Sequence, residues 1–294
     1  MELTVHDGRP FRICQLTDIH LGSYPFGESD LKTLRSLRRL FTQKKFHLIM
    51  ITGDIIWGKD NSTAKKSLSV FYDFLNSLKT PVAITYGNHD VEGPLKRSDM
   101  RSMEKKLEFF ADRHYNFLNS NRESYTLEIN DRDSGELKHV IYVWDSGSYT
   151  HWPKIDEYAA IEPEQIQWFL ELPYARTIEN IDLGFMHIPI PEYRMAVKNI
   201  TAGEFGEDIC APKINSGLFY ALLRKKNVKA IFAGHDHDNN FSSSLDGIQL
   251  NYGNTTGYNC YGDLPRGCVE INLYPDKIKR FVLTFDSMEE FSRV

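Results

Sequence analysis

The chain has 294 residues, of which 41% are hydrophobic and 26% charged, a balance that is typical of a globular protein with a full core. Its net charge of -5 provides no basic field, so we expect no nucleic-acid partner. No apolar run reaches membrane-spanning length, so we expect no membrane partner. The chain is predicted to fold as one domain over residues 1–294.

The first residues carry neither a basic segment nor an apolar core, so they do not predict a secretory signal. The four cysteines show no metal-type spacing, and Cys14 lies in an apolar stretch that favours a buried thiol over a disulfide. We therefore expect a reduced, cytoplasmic protein. The oligomeric state is left open by these features.

The first predicted strand, Phe11–Leu16, ends in the sequence Thr-Asp-Ile-His. Residues two apart in an extended chain face the same side, so Asp18 and His20 can address one point. They are a metal-ligand pair by chemistry. The alternative is an ordinary turn with a surface histidine.

A helix is predicted next from an apolar stripe over residues 31–41, with Asp30 as its N-cap. The second strand, Phe46–Ile51, ends in Thr-Gly-Asp. A carboxylate at a strand end can bridge two cations because its two oxygens offer several lone-pair directions. Asp54 is therefore the candidate bridging ligand.

A second helix is predicted over residues 68–78, and the strand Pro81–Ile84 follows it, which completes a β-α-β-α-β run typical of a layered α/β core. This strand ends in Tyr-Gly-Asn-His-Asp, at the side of a sheet where ligand sites lie in such folds. Asn88 can coordinate a hard cation, His89 can carry a proton, and Asp90 can hold that imidazole in one tautomer. Taken alone, the segment is also compatible with a simple turn.

The region from residue 94 to about 160 is less regular. Met103, Leu107 and Phe110 have helical spacing, and two strands are predicted over Tyr125–Ile129 and Val140–Trp144, joined by a polar turn. Asp145, directly after the second strand, can support the site from behind its ligands, but a structural turn is the more common role.

Two strands in the second half of the chain also end in histidines. Ile181–Met186 delivers His187, and the prolines that follow force the chain to leave the sheet there. Val228–Ala233 ends in Gly-His-Asp-His, so that His235 and His237, one residue apart, can aim at two neighbouring cations.

Pro163 and Ser216 are predicted to begin two further helices. The remainder is predicted as β structure, with one hairpin turning at Asp246–Gly247 and a second formed by Gly267–Leu273 and Ile278–Phe285. We expect these strands to form a second sheet packed face to face on the first.

The strand ends together supply carboxylate, amide and imidazole donors and no thiolate, which suits two transition ions such as Mn²⁺, Fe²⁺/³⁺ or Zn²⁺, divalent or of mixed valence. Two such ions about 3.5 to 4 Å apart clamp the attacking and leaving oxygens of a phosphoryl displacement and lower the pKa of a bound water. The donor set therefore predicts hydrolysis of a small phosphorylated substrate by a metal-bound hydroxide.

In this order the blocks resemble the calcineurin-like metallophosphoesterase superfamily, from the first strand to about residue 240. The blocks are Asp18-Ile19-His20, Gly53-Asp54, Gly87-Asn88-His89-Asp90, His187 and Gly234-His235-Asp236-His237. The resemblance implies an α/β fold, a four-layer α-β-β-α sandwich of two mixed β-sheets flanked by helices. It also implies one ion held by Asp18, His20, Asp54 and His237, a second held by Asp54, Asn88, His187 and His235, and His89 near the leaving group.

Within that superfamily, the segments that begin at Trp144, His187 and Gly234 are similar to the purple acid phosphatase-like branch. The purple enzymes have a tyrosine ligand three residues after the bridging aspartate, whereas this chain has Trp57, whose indole cannot act as a tyrosinate. The resemblance therefore implies a non-purple centre.

Three functions remain open from the sequence. A phosphomonoesterase is favoured, a phosphodiesterase acting on a cyclic nucleotide or another small diester is the alternative, and a metal-free binding scaffold is the third. Metal ligands do not separate the first two, because both reactions use the same pair of ions. Arg194, Lys213 and Asn215 are candidate substrate-binding residues, although ordinary surface roles explain them equally well.

Overall fold

The computed structural model describes residues 1–290, which form two mixed β-sheets and the helices around them. The strands are β1 (Leu3–Val5), β2 (Phe11–Leu16), β3 (Leu48–Thr52), β4 (Val82–Thr85), β5 (His114–Asn119), β6 (Arg122–Asp131), β7 (Leu137–Val143), β8 (Asp182–Phe185), β9 (Ile200–Ala202), β10 (Val228–Ala233), β11 (Ser242–Leu245), β12 (Ile248–Tyr252), β13 (Gly267–Leu273) and β14 (Ile278–Thr284). The helices are α1 (Glu28–Gln43), α2 (Ala64–Leu78), α3 (Arg97–Met103), α4 (Pro163–Glu171), α5 (Tyr193–Ala196), α6 (Leu218–Lys225) and α7 (Phe285–Glu290), with short 3-10 helices at His89–Val91, Glu104–Lys106 and Val197–Asn199.

Each of the two sheets combines a run of parallel strands with antiparallel neighbours. The smaller sheet has the order β14-β13-β2-β3-β4, in which β2, β3 and β4 run parallel. The larger sheet has the order β1-β6-β7-β8-β10-β12-β11-β9, with β5 paired to β6, and its strands β7, β8, β10 and β12 run parallel. Parallel strands expose their carboxyl ends at one edge, where loops can build a site.

Three apolar clusters separate the layers and confirm the predicted four-layer sandwich. The middle cluster joins the facing sides of both sheets and includes Ile13 and Met50 from the smaller sheet and Phe232 from the larger. A second cluster lies between the smaller sheet and helices α1 and α2, and a third between the larger sheet and helices α4 and α6. Every residue of β3 is buried because the strand is covered on both faces, which explains its uninterrupted apolar sequence.

Strands β2 and β10 match their predicted bounds, and β3 and β4 differ from the predicted bounds by one or two residues. The predicted caps of two helices are wrong. Helix α1 begins after Gly27, and the Asp30 carboxylate, one turn inside, accepts hydrogen bonds from the backbone N–H groups of Gly22 and Gly27 at 3.0 and 3.1 Å. Helix α6 begins after Gly217, which has a φ of 94°, and Ser216 lies before this cap.

The segment between β4 and β6 differs most from the prediction. Helix α3 ends at Met103, so Leu107 and Phe110 lie beyond it, and Phe110 instead bridges to Val82 at the edge of the smaller sheet. Strand β1 was not predicted because its three residues are too few to show a period, and β5 was not predicted because its polar and exposed residues give little periodic signal.

The carboxyl-terminal hairpins are present, but they do not form a sheet of their own. The β11–β12 hairpin turns at Asp246 and Gly247, both with positive φ, and β12 extends the larger sheet beside β10. The other hairpin joins the smaller sheet, where β13 pairs antiparallel with β2. The expectation of a separate second sheet is therefore wrong: each hairpin completes one of the two sheets.

Over residues 1–290, none of the helices combines the length and the apolar character that crossing a bilayer requires. Cys14 is a buried free thiol, as predicted.

Candidate metal centre

Seven polar side chains from both sheets converge at the carboxyl ends of the parallel strands. They follow β2, β3 and β4 in the smaller sheet and β8 and β10 in the larger one. Each residue is at most 7% exposed: Asp18, His20, Asp54, Asn88, His187, His235 and His237. The structure thus brings together all seven residues that the sequence indicates as metal ligands.

One group of donors lies on the side of β2. The Nε2 atoms of His20 and His237 are 3.1 Å apart, and His237 Nε2 is 3.5 Å from Asp18 Oδ1. His20 Nε2 is also 3.6 Å from Asp54 Oδ2. Donor atoms of Asp18, His20 and Asp54 all lie within 4.8 Å of one another, a spacing that one cation can satisfy.

A second group shares Asp54 and extends toward β8. His187 Nε2 is 3.1 Å from Asp54 Oδ2 and 3.2 Å from Asn88 Oδ1. Donor atoms of Asp54, His187 and His235 again lie within 4.8 Å of one another. Asp54 therefore belongs to both groups, which is the position that a bridging carboxylate requires.

Two of the imidazoles are held in a defined tautomer by hydrogen bonds to backbone carbonyl oxygens. His187 Nδ1 lies 2.8 Å from the Thr52 carbonyl oxygen, and His237 Nδ1 lies 3.2 Å from that of Tyr261. A carbonyl oxygen only accepts, so each Nδ1 carries the hydrogen. The Nε2 atoms that face the cluster are then left to coordinate a cation.

Three buried atoms of these residues have no hydrogen-bond partner. They are His20 Nδ1, His235 Nε2 and Asp54 Oδ2, the oxygen shared by both groups. Buried polar atoms are almost always paired, because an unpaired one loses its hydration without compensation. An oxygen and a nitrogen left open at this point fit coordination to two cations.

The pKa values of the histidines in the cluster also fit the binding of cations. Burial lowers the pKa of His20 and of His235 to about 3, so these rings are neutral, as metal ligands must be. Burial alone would lower the pKa of His187 too, but the charge of Asp54 raises it to about 9. Without cations, the carboxylates thus hold protons on neighbouring imidazoles, and bound cations would take the place of those protons.

The backbone is also unusual at the ligand positions. Asp18, His20, Asp54 and His235 have φ values of 52°, 48°, 49° and 84°, in the left-handed region that residues other than glycine rarely adopt. Such conformations cost free energy and often cluster at functional sites. Close packing adds a further restriction, since a Cβ on Gly87 would lie 2.1 Å from Asp54 Oδ1.

His89 lies beside the cluster. Its backbone N–H donates to Asp54 Oδ1 at 2.9 Å, and its ring is stacked on the indole of Trp57 with 4.7 Å between ring centroids. Its Nδ1 is 2.7 Å from Glu92 Oε2, and Glu92 also accepts a hydrogen bond from the Tyr149 hydroxyl. The His89 ring is thus fixed on two sides and partly exposed.

The part of the chain that carries these residues matches a known protein family. The model of the calcineurin-like phosphoesterase family matches residues 11–239, a range that contains all seven converging residues. The chain belongs to the calcineurin-like phosphoesterase family.

Two relatives and one solved structure illustrate what this chain is similar to. A relative from Arabidopsis thaliana named probable inactive purple acid phosphatase 29 is 32% identical over 86% of this chain and 73% of its own length. A Saccharomyces cerevisiae protein named phosphatase DCR2 is 29% identical over 84% of this chain and 48% of its own length. The crystal structure of a dimetal phosphatase from Danio rerio superposes with a TM-score of 0.67 at 13% identity, covering 94% of this chain and 99% of that one, and supports the fold.

Asp90 does not orient His89 in this calcineurin-like site, and that part of the prediction is wrong. Its carboxylate accepts backbone hydrogen bonds from Asp54, Ile55 and Gly87 at 3.0, 2.8 and 2.8 Å. These bonds tie the loop after β3 to the loop after β4. Asp90 is therefore a positioning residue for Asp54, and Glu92 takes the place beside the His89 ring.

Arg97 was missed by the sequence analysis, because an arginine in an irregular segment gives no local signal. Its guanidinium is buried, with Nε 2.8 Å from Asp145 Oδ2 and Nη2 3.0 Å from the Gly87 carbonyl oxygen. Asp145 thus supports the loop that carries Asn88 through an ion pair.

Arg97→Met is expected to lower the free energy of unfolding by ~3 kcal/mol, since it leaves the buried Asp145 carboxylate without its partner. Urea denaturation would measure this loss. Arg132→Met, which makes the same chemical change at an exposed position, is the control. An equal and small effect in both variants would contradict the role assigned to Arg97.

Trp57 lies beside the candidate metal centre, with 5.5 Å between the centroids of its ring and the His20 ring. We expect the iron-loaded protein to lack the purple tyrosinate-to-iron charge-transfer band, because an indole provides no phenolate, and an absorption spectrum would check this. Tyr86 is an unsuitable substitute ligand, since its hydroxyl donates to Glu104 Oε1 at 2.5 Å and burial raises its pKa well above the usual value. A purple preparation would contradict the non-purple interpretation.

The predicted substrate-binding residues have other contacts. Arg194 Nη1 donates to the Pro212 carbonyl oxygen at 2.9 Å, and Asn215 Nδ2 donates to Glu192 Oε1 at 2.7 Å. The Lys213 backbone N–H donates to Asp156 at 2.6 Å, and its side chain is exposed. The contacts of Arg194 and Asn215 attach the segment before α6 to the segment around α5, and that of Lys213 attaches it to the loop between β7 and α4. They give no support to substrate binding, which stays a prediction.

Proposed function

We propose that this protein is a dinuclear metal-dependent phosphomonoesterase. The observation that carries the proposal is the position of Asp54 Oδ2, which is buried where the two groups of donor atoms meet. A single carboxylate oxygen within 3.6 Å of two imidazole nitrogens from opposite sheets is well placed to bridge two cations.

The residues would divide between two ions. Asp18, His20 and His237 would hold one, and Asn88, His187 and His235 the other, with Asp54 shared. Two bound transition ions supply Lewis-acid stabilisation of phosphoryl oxygens and activation of water. The protein contributes the fixed tautomers of His187 and His237 and a partly exposed imidazole, His89, that can donate a proton to the leaving group.

The second candidate function is a binding scaffold without catalysis. It is favoured by the name of the Arabidopsis relative, which calls that protein probably inactive. Against it stands the complete set of seven converging side chains in this chain, none of which is replaced by a residue that cannot coordinate. The name of the yeast relative, a phosphatase, also favours the catalytic proposal.

The test combines metal analysis with a substrate panel. The purified chain would be loaded separately with Mn²⁺, Fe²⁺ and Zn²⁺, its metal content measured by elemental analysis, and its activity assayed on phosphate monoesters and on diesters, including cyclic nucleotides. We expect about two ions per chain and turnover of monoesters in preference to diesters.

The possible results separate the candidates. Turnover of diesters alone would replace the monoesterase proposal by the phosphodiesterase alternative. Two bound ions without turnover of any ester would favour the scaffold. Failure to bind any of the three ions would overturn the dinuclear proposal. The predicted cytoplasmic location is not addressed by this experiment and stays a prediction.

A further inference from the structure

A thiol lies beside one half of the candidate metal centre. Donor atoms of His20, His237 and Cys260 lie within 4.8 Å of one another, in a group that shares His20 with the group formed by Asp18, His20 and Asp54. Cys260 follows β12 on a loop that returns to the carboxyl ends of the strands, where the Asn259 side chain donates to the His20 carbonyl oxygen at 3.1 Å.

The sulfur hydrogen-bonds the His237 side chain and otherwise makes only weak contacts with backbone oxygens. Cys260 Sγ is 3.3 Å from the Gly257 carbonyl oxygen and 3.8 Å from that of Asp18, and a thiol is only a weak donor to such oxygens. The neighbouring His20 is fully buried, and its Nδ1 has no hydrogen-bond partner. The unpartnered Asp54 Oδ2 lies 3.6 Å from the other nitrogen of the same ring.

We propose that Cys260 provides an additional sulfur ligand to the cation held by Asp18, His20, Asp54 and His237. The inference rests on the proposed dinuclear function. On coordination the S–H bond is lost, the sulfur donates its electron pair to the cation, and the proton passes to solvent. A thiolate favours softer ions, so this half of the centre would prefer Zn²⁺, Co²⁺ or Fe²⁺ over Mn²⁺.

Cobalt substitution tests the assignment through a signal that does not depend on activity. The full-length chain loaded with Co²⁺ is expected to show a thiolate-to-cobalt charge-transfer band in the near ultraviolet. Cys260→Ser should lose this band while binding the same number of cobalt ions. Competition experiments should show that its preference for Zn²⁺ over Mn²⁺ falls by at least ~10-fold.

Cys210→Ser is the matched control, because Cys210 is also a partly exposed free thiol but contacts the Asp208 carbonyl oxygen instead of the cluster. It should keep the band. Cys260→Ala provides a second variant if the serine protein fails to fold.

The failures can be told apart. Cobalt-loaded wild-type protein without the band, or a Cys260 variant that retains it, would overturn the sulfur assignment and leave the dinuclear proposal standing. Wild-type protein that binds no cobalt would overturn the proposed function itself.

Discussion

Asp54→Asn is expected to reduce kcat/KM for phosphate esters by more than ~100-fold, the upper loss seen when a residue that only supports a metal ligand is replaced. The reason is that Asp54 Oδ2 belongs to both donor groups, so the change weakens two sites together. The substitution keeps the shape of the side chain and removes its charge. Elemental analysis should therefore show loss of both ions, and not of one.

Asp246→Asn is the control for this experiment. Asp246 is exposed in the β11–β12 turn and has a φ of 46°, a conformation that asparagine also tolerates. The control should keep full metal content and activity. An Asp54→Asn protein that still binds two ions would contradict the bridging position.

His89→Ala is expected to lower kcat by ~10²- to 10⁴-fold while the metal content is retained, because general acid catalysis typically contributes that much. The ring is bonded through Nδ1 to Glu92, so a protonated His89 has its Nε2 hydrogen available for the leaving group. Glu92→Gln, which keeps a hydrogen-bonding group beside His89 and removes the charge, should give a smaller loss.

The dependence on the leaving group separates an acid from a structural residue. Loss of an acid should slow an alkyl phosphate far more than p-nitrophenyl phosphate, whose phenolate departs without protonation. His6→Ala, at an exposed position after β1, is the control and should alter neither rate. Equal losses on both substrates would remove the acid role, and parallel loss of metal would place His89 in the coordination scaffold.

The strand ends explain why much of the site could be predicted. A buried parallel strand is a short apolar run, and the polar residue that ends it is visible in the sequence. Because the carboxyl ends of β2, β3 and β4 lie at one edge, Asp18, Asp54 and Asn88 could be placed together without knowing any distance.

Other features depend on contacts between distant segments. Glu92 and Cys260 reach the site from loops and Arg97 from the first residue of α3, where periodicity carries no information about direction. The two carboxyl-terminal hairpins were recognised, but their alternating pattern identifies a buried face and not the sheet that covers it. Asp90 was assigned to His89 from adjacency in sequence, whereas its carboxylate turns toward the loop after β3.

The seven converging side chains are divided between the two sheets, and this has a consequence for folding. Asp18, Asp54 and Asn88 follow strands that are consecutive in the chain, and they can approach one another once β2, β3 and β4 have paired. His187 and His235 follow β8 and β10, which lie much further along the chain. Closing such long loops precedes the gain from the contacts they make, so we expect the complete donor set to be assembled late. Newly synthesised chains would thus acquire their full affinity for cations only after β10 has docked, and metal uptake would mark the end of folding and not its beginning.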